Sequence, residues 1–501
     1  MRAKSLMIQG TMSGVGKSLL TAGLCRVLAQ DGYRVAPFKS QNMALNSAVT
    51  AEGLEMGRAQ VVQAEAAGIE PSALMNPVLL KPTTDMGSQV IVRGTSIGTM
   101  PAREYFAFRH TLVDQIRAAY NELAASYDVV LIEGAGSPVE LNLKRDDIVN
   151  MGMARLAASP VLLAGDIDRG GVFAQLIGTM MLLDKDERRM VKGSIVNKFR
   201  GDPTLFDDGL GILREQMGVP VVGLVPYLPV DLDDEDSLSQ RLDVRERAGV
   251  VDVAVIRLPK VSNFTDFIAL ETLEGVGVRY VSRPHELGTP DLIIVPGTKA
   301  TIADLRWLRS SGLASLVRHA AHKGTPVLGI CGGYQMLGER VCDPNGMEGG
   351  GEVEGLGLLP VRTVFGQEKR LGRLGGSFCG VGGALAPLSW QPVQGYEMHM
   401  GRTERRGGEP LVHLRQSDGS VLADGCQQGN VYGCYLHGLF DSAEASAALL
   451  RALLAAKGLD ASAVRTQDRA AYRQQQYDML ADGIRASMDL DLLYRIIEEG
   501  L

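Results

Sequence analysis

A chain of 501 residues has room for two or three domains of roughly 100–200 residues each. With 45% hydrophobic and 22% charged residues, it has the composition of a globular protein with sizeable cores. The net charge of −7 supplies no global basic field for nucleic acid or an anionic membrane, and no apolar run reaches the ~20 residues of a membrane span.

The N-terminal MRAKSLMIQG has only a short apolar stretch and runs straight into a glycine-rich loop, so it reads as a first strand rather than a leader. SLMIQG (5–10) precedes a helix that begins near Lys17. YRVAPFK (33–39), DVVLIEGAG (128–136), SPVLLAGDI (159–167), GSIVNK (193–198) and VVGLVPY (221–227) are further strand candidates. Continuous apolar runs separated by helical stretches indicate βαβ units and a buried parallel sheet. DLDDEDSLSQR (231–241) is acidic and poor in apolar residues, and reads as a solvated linker. A second β/α series follows in VDVAVIRLP (251–259), VGVRYVS (276–282), DLIIVPG (291–297) and TPVLGIC (325–331). The glycine-rich region from Asn345 to about Pro387 suggests hairpins and loops, and NVYGCYLHG (430–438) is the last strand candidate. From about Ala443 the chain is helical, with Leu480, Ile484, Met488 and Leu492 at four-residue spacing. The expected architecture is α/β with two doubly wound domains, at 1–235 and 250–447, and a helical tail at 448–501.

Six cysteines, Cys25, Cys331, Cys342, Cys379, Cys426 and Cys434, form no C-x-x-C pair and no zinc spacing. A disulfide framework is not indicated, and a reducing cytoplasmic compartment is expected.

GTMSGVGKS (10–18) lies between a strand and a helix, where successive backbone N–H groups and a helix N-terminus receive anions. Gly14 and Gly16 shape the loop, Lys17 reaches the β- and γ-phosphates of ATP, and Ser18 binds Mg²⁺. The match to the P-loop pattern is imperfect, because Thr11 stands where glycine is usual and Gly10 comes one place earlier. Glu133, at the end of the LIEGAGS strand, supplies a carboxylate for Mg²⁺ opposite the phosphates. Asn197 in VNKFRG is a candidate contact to the nucleotide base. The variant loop with the EGAG strand end resembles the dethiobiotin synthetase branch of P-loop enzymes, which implies phosphorylation of a carboxylate or carbamate. Phosphorylation gives a carboxylate the leaving group it lacks, and catalysis is then mostly positioning and charge neutralisation.

PVLGICGGYQML (326–337) sets Cys331 in the G-x-nucleophile-x-G form of an elbow between strand and helix. The N-terminus of the following helix favours a thiolate. The N–H of Gly332 faces an oxyanion, and a second donor is available near Gly297 in VPGTKAT. His437, at the end of a late strand in GCYLHGLF, is the proton shuttle for Cys331. This half resembles the class I glutamine amidotransferase domain, which releases ammonia from glutamine. The usual H-x-E ending is missing, since Leu439 stands two residues after His437. Another carboxylate or a backbone carbonyl is left to orient the imidazole.

The order of the halves resembles the cobyrinate amidases of cobalamin biosynthesis. QGTMSGVGKS (9–18), FKSQNMALNS (38–47), EMGRAQ (55–60), MNPVLLKP (75–82) and YEMHMG (396–401) carry the likeness. It implies ATP and Mg²⁺, with glutamine and a corrinoid, adenosylcobyrinic acid a,c-diamide, as substrates. The acceptors would be its b, d, e and g carboxylates, amidated through acyl phosphates. Lys39, Gln41, Asn42, Asn46, Lys81 and Arg93 are candidates for a multi-carboxylate ligand. In LKRDDIVN (143–150), Asp146 or Asp147 could organise Mg²⁺ or the acceptor, and Asp146 is the favoured one. Two rivals remain: a synthase acting on the a and c carboxylates, and a P-loop ATPase whose inactive amidotransferase half binds a partner.

Overall fold

The structure is a computed structural model that describes residues 3–84, 87–233, 242, 249–416, 418–462, 464 and 468–501. Among the described residues, two of three six-stranded sheets organise it. In the first, the strands run in the order Val221–Pro226, Val191–Phe199, Val161–Asp166, Lys4–Gly10, Val129–Glu133 and Val35–Phe38, all parallel. Both faces are covered, which is why these strands read as unbroken apolar runs. In such a sheet ligands bind beyond the carboxyl ends of the strands, and Gly10, Glu133 and Asp166 all stand there.

The second sheet runs Val276–Val281, Val251–Ile256, Leu292–Val295, Val327–Ile330, Val431–Cys434 and Cys426–Gln428, parallel except for the last strand. Its carboxyl ends deliver the segments that carry Gly297, Cys331 and His437. The glycine-rich region is more regular than its composition suggests. The 18-residue strand Val361–Phe378 pairs antiparallel with Pro392–Arg405, so YEMHMG lies on a strand. Segment 41–101, for which no strand is predicted, builds a side sheet of Gln41–Met43, Val78–Thr84, Gly87–Val92 and Thr95–Pro101. A short hairpin, Ser47–Val49 with Glu55–Gly57, accompanies it. Most of the acidic stretch 231–241 lies outside the described residues.

The C-terminal helices form as expected, each started by a side-chain cap. Ser442 accepts from Ala445 N, Asp468 from Ala470 N and Asp489 from Leu492 N. They do not act as a tail. Helix Ala443–Ala456 packs on the second domain's core. The helices Arg469–Ser487 and Leu490–Glu499 return to the first domain. There Tyr477, Leu480, Ile484 and Ile496 share one core with Leu20, Leu24 and Val27 of helix Lys17–Gln30. A Cβ on Gly23 would lie 2.7 Å from Ile484 Cγ1, so glycine permits this close helix contact. Each such buried Leu or Ile contributes about 1.5–3 kcal/mol. Among the described residues no helix is long and apolar enough to cross a membrane.

Candidate functional site

The first site is built on the loop between Gly10 and the helix Lys17–Gln30. Gly16 has φ 93°, and a Cβ there would meet Asn197 Nδ2 at 2.4 Å, so both backbone conformation and space demand glycine. Lys17 Nζ donates to the carbonyls of Met12 and Gly136, each at 3.1 Å, and so ties the loop to the neighbouring strand end. Ser18 Oγ donates to Glu133 Oε1 at 2.7 Å. Lys39 Nζ reaches the same oxygen at 2.9 Å, and Gln63 and Gln60 donate to Oε2 at 2.6 and 3.3 Å. Burial opposes ionisation of Glu133, but the Lys39 ammonium and the hydrogen bonds from Lys39, Ser18 and Gln63 outweigh it and hold the carboxyl below its usual range.

A cavity of about 830 Å³ opens on this cluster and is lined by Gly14, Gly16, Lys17, Ser18, Lys39, Asn42 and Glu133. Arg169, which the sequence did not single out, also faces it, beside Gly14. Gln60 and Gln63, on helix Arg58–Ala66, hold Glu133 in a role the sequence did not announce, although Gln60 closes the EMGRAQ stretch. The Ser18 hydroxyl and an ionised Glu133 are hard oxygen donors 2.7 Å apart, a donor set that fits Mg²⁺.

Several expected residues do not line the cavity, among them the buried Asn46, and Arg93, which pairs with Glu122 at 2.9 Å. Asn197 is buried beneath the loop, where its Nδ2 donates to Val15 O at 2.7 Å and braces the backbone. Gln41 accepts from the Tyr105 hydroxyl. Asp146 is half exposed and sits 3.9 Å from Arg109, while its neighbour Asp147 accepts from the N–H groups of Val149, Asn150 and Gly152. Lys81 is the largest correction. The side sheet carries it into the junction between the halves, where its ammonium lies 2.9 Å from Glu55, 2.8 Å from Ser47 Oγ and 3.6 Å from Met398 Sδ. Burial lowers the Lys81 pKa and Glu55 partly restores it.

At the second site, the strand Val327–Ile330 delivers Cys331 at φ 52°, ψ −111°, at the start of helix Gly332–Leu337. Positive φ at a non-glycine residue is strained backbone of the kind that concentrates at active sites. A Cβ on Gly333 would stand 1.8 Å from Val295 O, so only glycine lets this helix sit against the neighbouring strand. Cys331 N donates to Cys434 O at 2.9 Å, which joins the elbow to the strand leading into His437.

His437 is fully buried. Its Nδ1 lies 2.7 Å from Asp266 Oδ2, and Gly438 N donates to Asp266 Oδ1 at 3.0 Å. The Tyr396 ring stacks on the imidazole with centroids 5.1 Å apart. Cys331 acts electrostatically on the ring, and with Nδ1 engaged by Asp266, Nε2 is the nitrogen left to serve it, while the thiol itself donates to Met398 O at 3.7 Å. Burial alone would depress the His437 pKa, but Asp266 and Cys331 outweigh it and push it up to about 10. Gly297 stands in the gap between the pair: a Cβ there would lie 3.0 Å from His437 Cε1 and 3.8 Å from Cys331 Cβ. Asp266, the missing third partner, lies in the SNFTDF run, which carries no recognisable spacing to His437.

The hairpin and helix start at residues 47–58 of the first half seal this second site. Ser47 N donates to Asn263 Oδ1 at 3.4 Å, Arg58 Nη2 to the Tyr396 hydroxyl at 3.1 Å, and Arg373 Nε to Val49 O at 2.9 Å. Lys369 completes a buried triplet with Glu55 and Lys81.

Two family models divide the chain between them. The CobQ/CobB/MinD/ParA nucleotide binding domain matches residues 6–238, and the CobB/CobQ-like glutamine amidotransferase domain matches residues 252–445. A cobyric acid synthase of Ruminiclostridium cellulolyticum is 55% identical over 100% of this chain and 98% of its own length. One from Lachnoclostridium phytofermentans is 53% identical over the whole of both chains. One from Photorhabdus laumondii is 49% identical over 99% of this chain and 98% of its own.

Proposed function

The chain belongs to the cobyric acid synthase family of glutamine-dependent, ATP-driven amide ligases in cobalamin biosynthesis, and on that premise we propose how its two sites divide the reaction. ATP occupies the 830 Å³ cavity, with its phosphates on the Gly14–Gly16 backbone, Lys17 and Arg169. Ser18 and Glu133 would hold Mg²⁺, which when bound neutralises phosphate charge. Lys39 and Asn42 face the same cavity and are placed to receive an acceptor carboxylate. That carboxylate attacks the γ-phosphate, the bond to the β-phosphate breaks, ADP leaves, and the carboxylate becomes an acyl phosphate, from which ammonia later displaces phosphate. The acceptor we assign is adenosylcobyrinic acid a,c-diamide, through its b, d, e and g carboxylates.

At the second site, Cys331 attacks the side-chain amide of glutamine after passing its proton to His437 Nε2. Asp266 fixes the ring and stabilises its protonated form. The Gly332 and Gly297 region surrounds the developing oxyanion. His437 then protonates the departing amide nitrogen, which leaves as ammonia, and takes a proton from the water that cleaves the thioester, releasing glutamate and restoring the thiol. Ammonia is largely protonated in neutral water and then not nucleophilic. The contacts of residues 47–58 across the junction support direct transfer to the acyl phosphate. A reducing cytoplasmic setting suits six free, buried cysteines.

The observation that carries this division is the Cys331–His437–Asp266 arrangement, closed over by the half that holds the Lys17 loop. The test is product analysis of Cys331→Ser with glutamine or with ammonium chloride as nitrogen source. Amidation is expected to be lost with glutamine and kept with ammonium. Loss of both would sink the division.

A further inference from the structure

Asn263 joins the two halves at the atom that matters most to the nucleophile. It is buried, and at φ 52°, ψ 36° it occupies the left-handed region that asparagine tolerates. Its Oδ1 accepts from Ser47 N at 3.4 Å, and its Nδ2 lies 3.3 Å from His437 Nε2. A backbone N–H can only donate. Ser47 therefore forces the oxygen of the Asn263 amide to its own side and the NH₂ toward the imidazole. Facing an NH₂ donor, Nε2 is best satisfied as an acceptor, with one ring proton on Nδ1 against Asp266, so the amide opposes the doubly protonated ring that Asp266 and a Cys331 thiolate favour.

We infer that Asn263 is a positioning residue through which the nucleotide-binding half sets the hydrogen-bonding role of His437 Nε2, and thereby restrains the Cys331–His437 pair in its uncharged form. The inference rests on the assignment of Cys331 and His437 as the glutaminase pair. When the thiol gives up its proton, the S–H bond breaks and an N–H bond forms at Nε2. That N–H then points at the Asn263 NH₂, and two donors meet with no acceptor between them. If Ser47 withdraws, the amide is free to turn over, so that Oδ1 accepts from Nε2–H and the thiolate–imidazolium pair gains a partner.

The other groups facing the pair do not reproduce this effect. Asp266 holds Nδ1, Tyr396 stacks on the ring with Arg58 at its hydroxyl, Asp441 lies beyond Gly438, and Lys81 acts on Cys331 from the Met398 side. Ser47 is also well placed to report on the first site. Asn46 O accepts from Arg58 N at the start of the helix carrying Gln60 and Gln63, which hold Glu133.

The test is the pH profile of Cys331 alkylation by iodoacetamide in the full chain without ATP or corrinoid, with the modified peptide read by mass spectrometry. Asn263→Asp presents only acceptors, to Ser47 N–H and to Nε2–H alike. It is expected to move the profile to lower pH by about one unit, a roughly tenfold faster reaction on the acid limb. Asn263→Gly keeps the left-handed backbone and deletes the donor, and about a threefold gain is expected from a shift of half a unit. Ser47→Pro deletes the orienting N–H, frees the amide to turn over, and is expected to shift the profile in the same direction as the aspartate variant. Ammonium-driven amidation serves as the check that each variant is folded. A profile unmoved in both Asn263 variants, or slowed uniformly at all pH values, overturns the inference. A folded Ser47→Pro that behaves like the parent overturns the role of the nucleotide-binding half. Glutamate release by Cys331→Ser would instead overturn the nucleophile assignment beneath it.

Discussion

The two sites differ in how they are enclosed, and the difference follows from what each must exchange with solvent. The nucleotide site is an open cavity of about 830 Å³, walled by a glycine loop and by charges that are already paired with one another. The thiol site has little space: His437 is 0% exposed and Cys331 8%, with Tyr396 stacked on the ring and Met398 O 3.7 Å from the sulfur. A site for ATP and a large corrinoid has to stay accessible. A site that makes ammonia works best when dry, since water both protonates ammonia and competes for the acyl-enzyme. The closing surface is not supplied by the thiol domain alone. Ser47, Arg58 and Lys81 come from the other half, so the second site is complete only in the assembled chain.

Substitutions at the two centres test that asymmetry most strongly. Lys17→Ala removes the cation of the phosphate loop and is expected to lower amidation by about 10⁴-fold or more with either glutamine or ammonium. Cys331→Ser is expected to cost as much with glutamine and almost nothing with ammonium. If Lys17→Ala spared the ammonium reaction in a product assay, the two sites would not be serial. Next in size is Asp266→Asn, which leaves the ring in place but no longer favours the proton on Nδ1. Glutamate release is expected to fall about 10³-fold, with ammonium-driven amidation intact. A glutaminase rate within twofold of the parent would show that Asp266 does not orient the imidazole.

What could be read from sequence divides along the same line. The phosphate loop and the elbow are written in consecutive residues, 10–18 and 329–333, because a tight turn dictates each neighbour's size and conformation. Asp266 is separated from His437 by 171 positions and reaches it through a left-handed turn at Asn263, which no spacing announces. The absent glutamate at 439 did show that some other group must hold the ring. Lys81 illustrates the opposite difficulty. It stands in MNPVLLKP, which carries the family likeness, but no strand is predicted there, and the direction of its side chain depends on register against Gln89, a tertiary fact. The packing of Leu480 and Ile484 on helix Lys17–Gln30 was likewise hidden, since an apolar stripe does not name its partner.

The buried charges at the junction give the next effect. Glu55→Gln leaves Lys81 and Lys369 without their carboxylate, and unfolding in urea is expected to show a loss of about 3–5 kcal/mol. The exposed Arg373–Glu70 pair crosses the same junction, and Glu70→Gln is expected to cost about 1 kcal/mol or less. Equal losses would mean that burial does not govern the contact between the halves.

The smallest effect concerns acid, and here the two regions should respond in opposite senses. Burial disfavours the Glu55 carboxylate, but Lys369 and Lys81 outweigh it and hold its pKa below the unfolded value. Its stabilising contribution is therefore present above the unfolded carboxylate range, ~4.3, and declines as pH falls through it. Asp304 is the reverse. It lies behind the Gly297 loop, accepts from Lys260 N at 3.1 Å and from the Thr298 hydroxyl, and burial pushes its pKa up to about 6. The folded state then binds the Asp304 proton more tightly than the unfolded state. Its contribution is complete below about 4 and is lost as pH rises toward about 6, above which no slope remains. The stability difference between the parent and Asp304→Asn, followed by urea unfolding from pH 4 to 7, should shift against the parent up to about pH 6 and then level off. A flat difference across that range would place Asp304 in the ordinary carboxylate class. The region around the Gly297 loop would then lose its contrast with the junction.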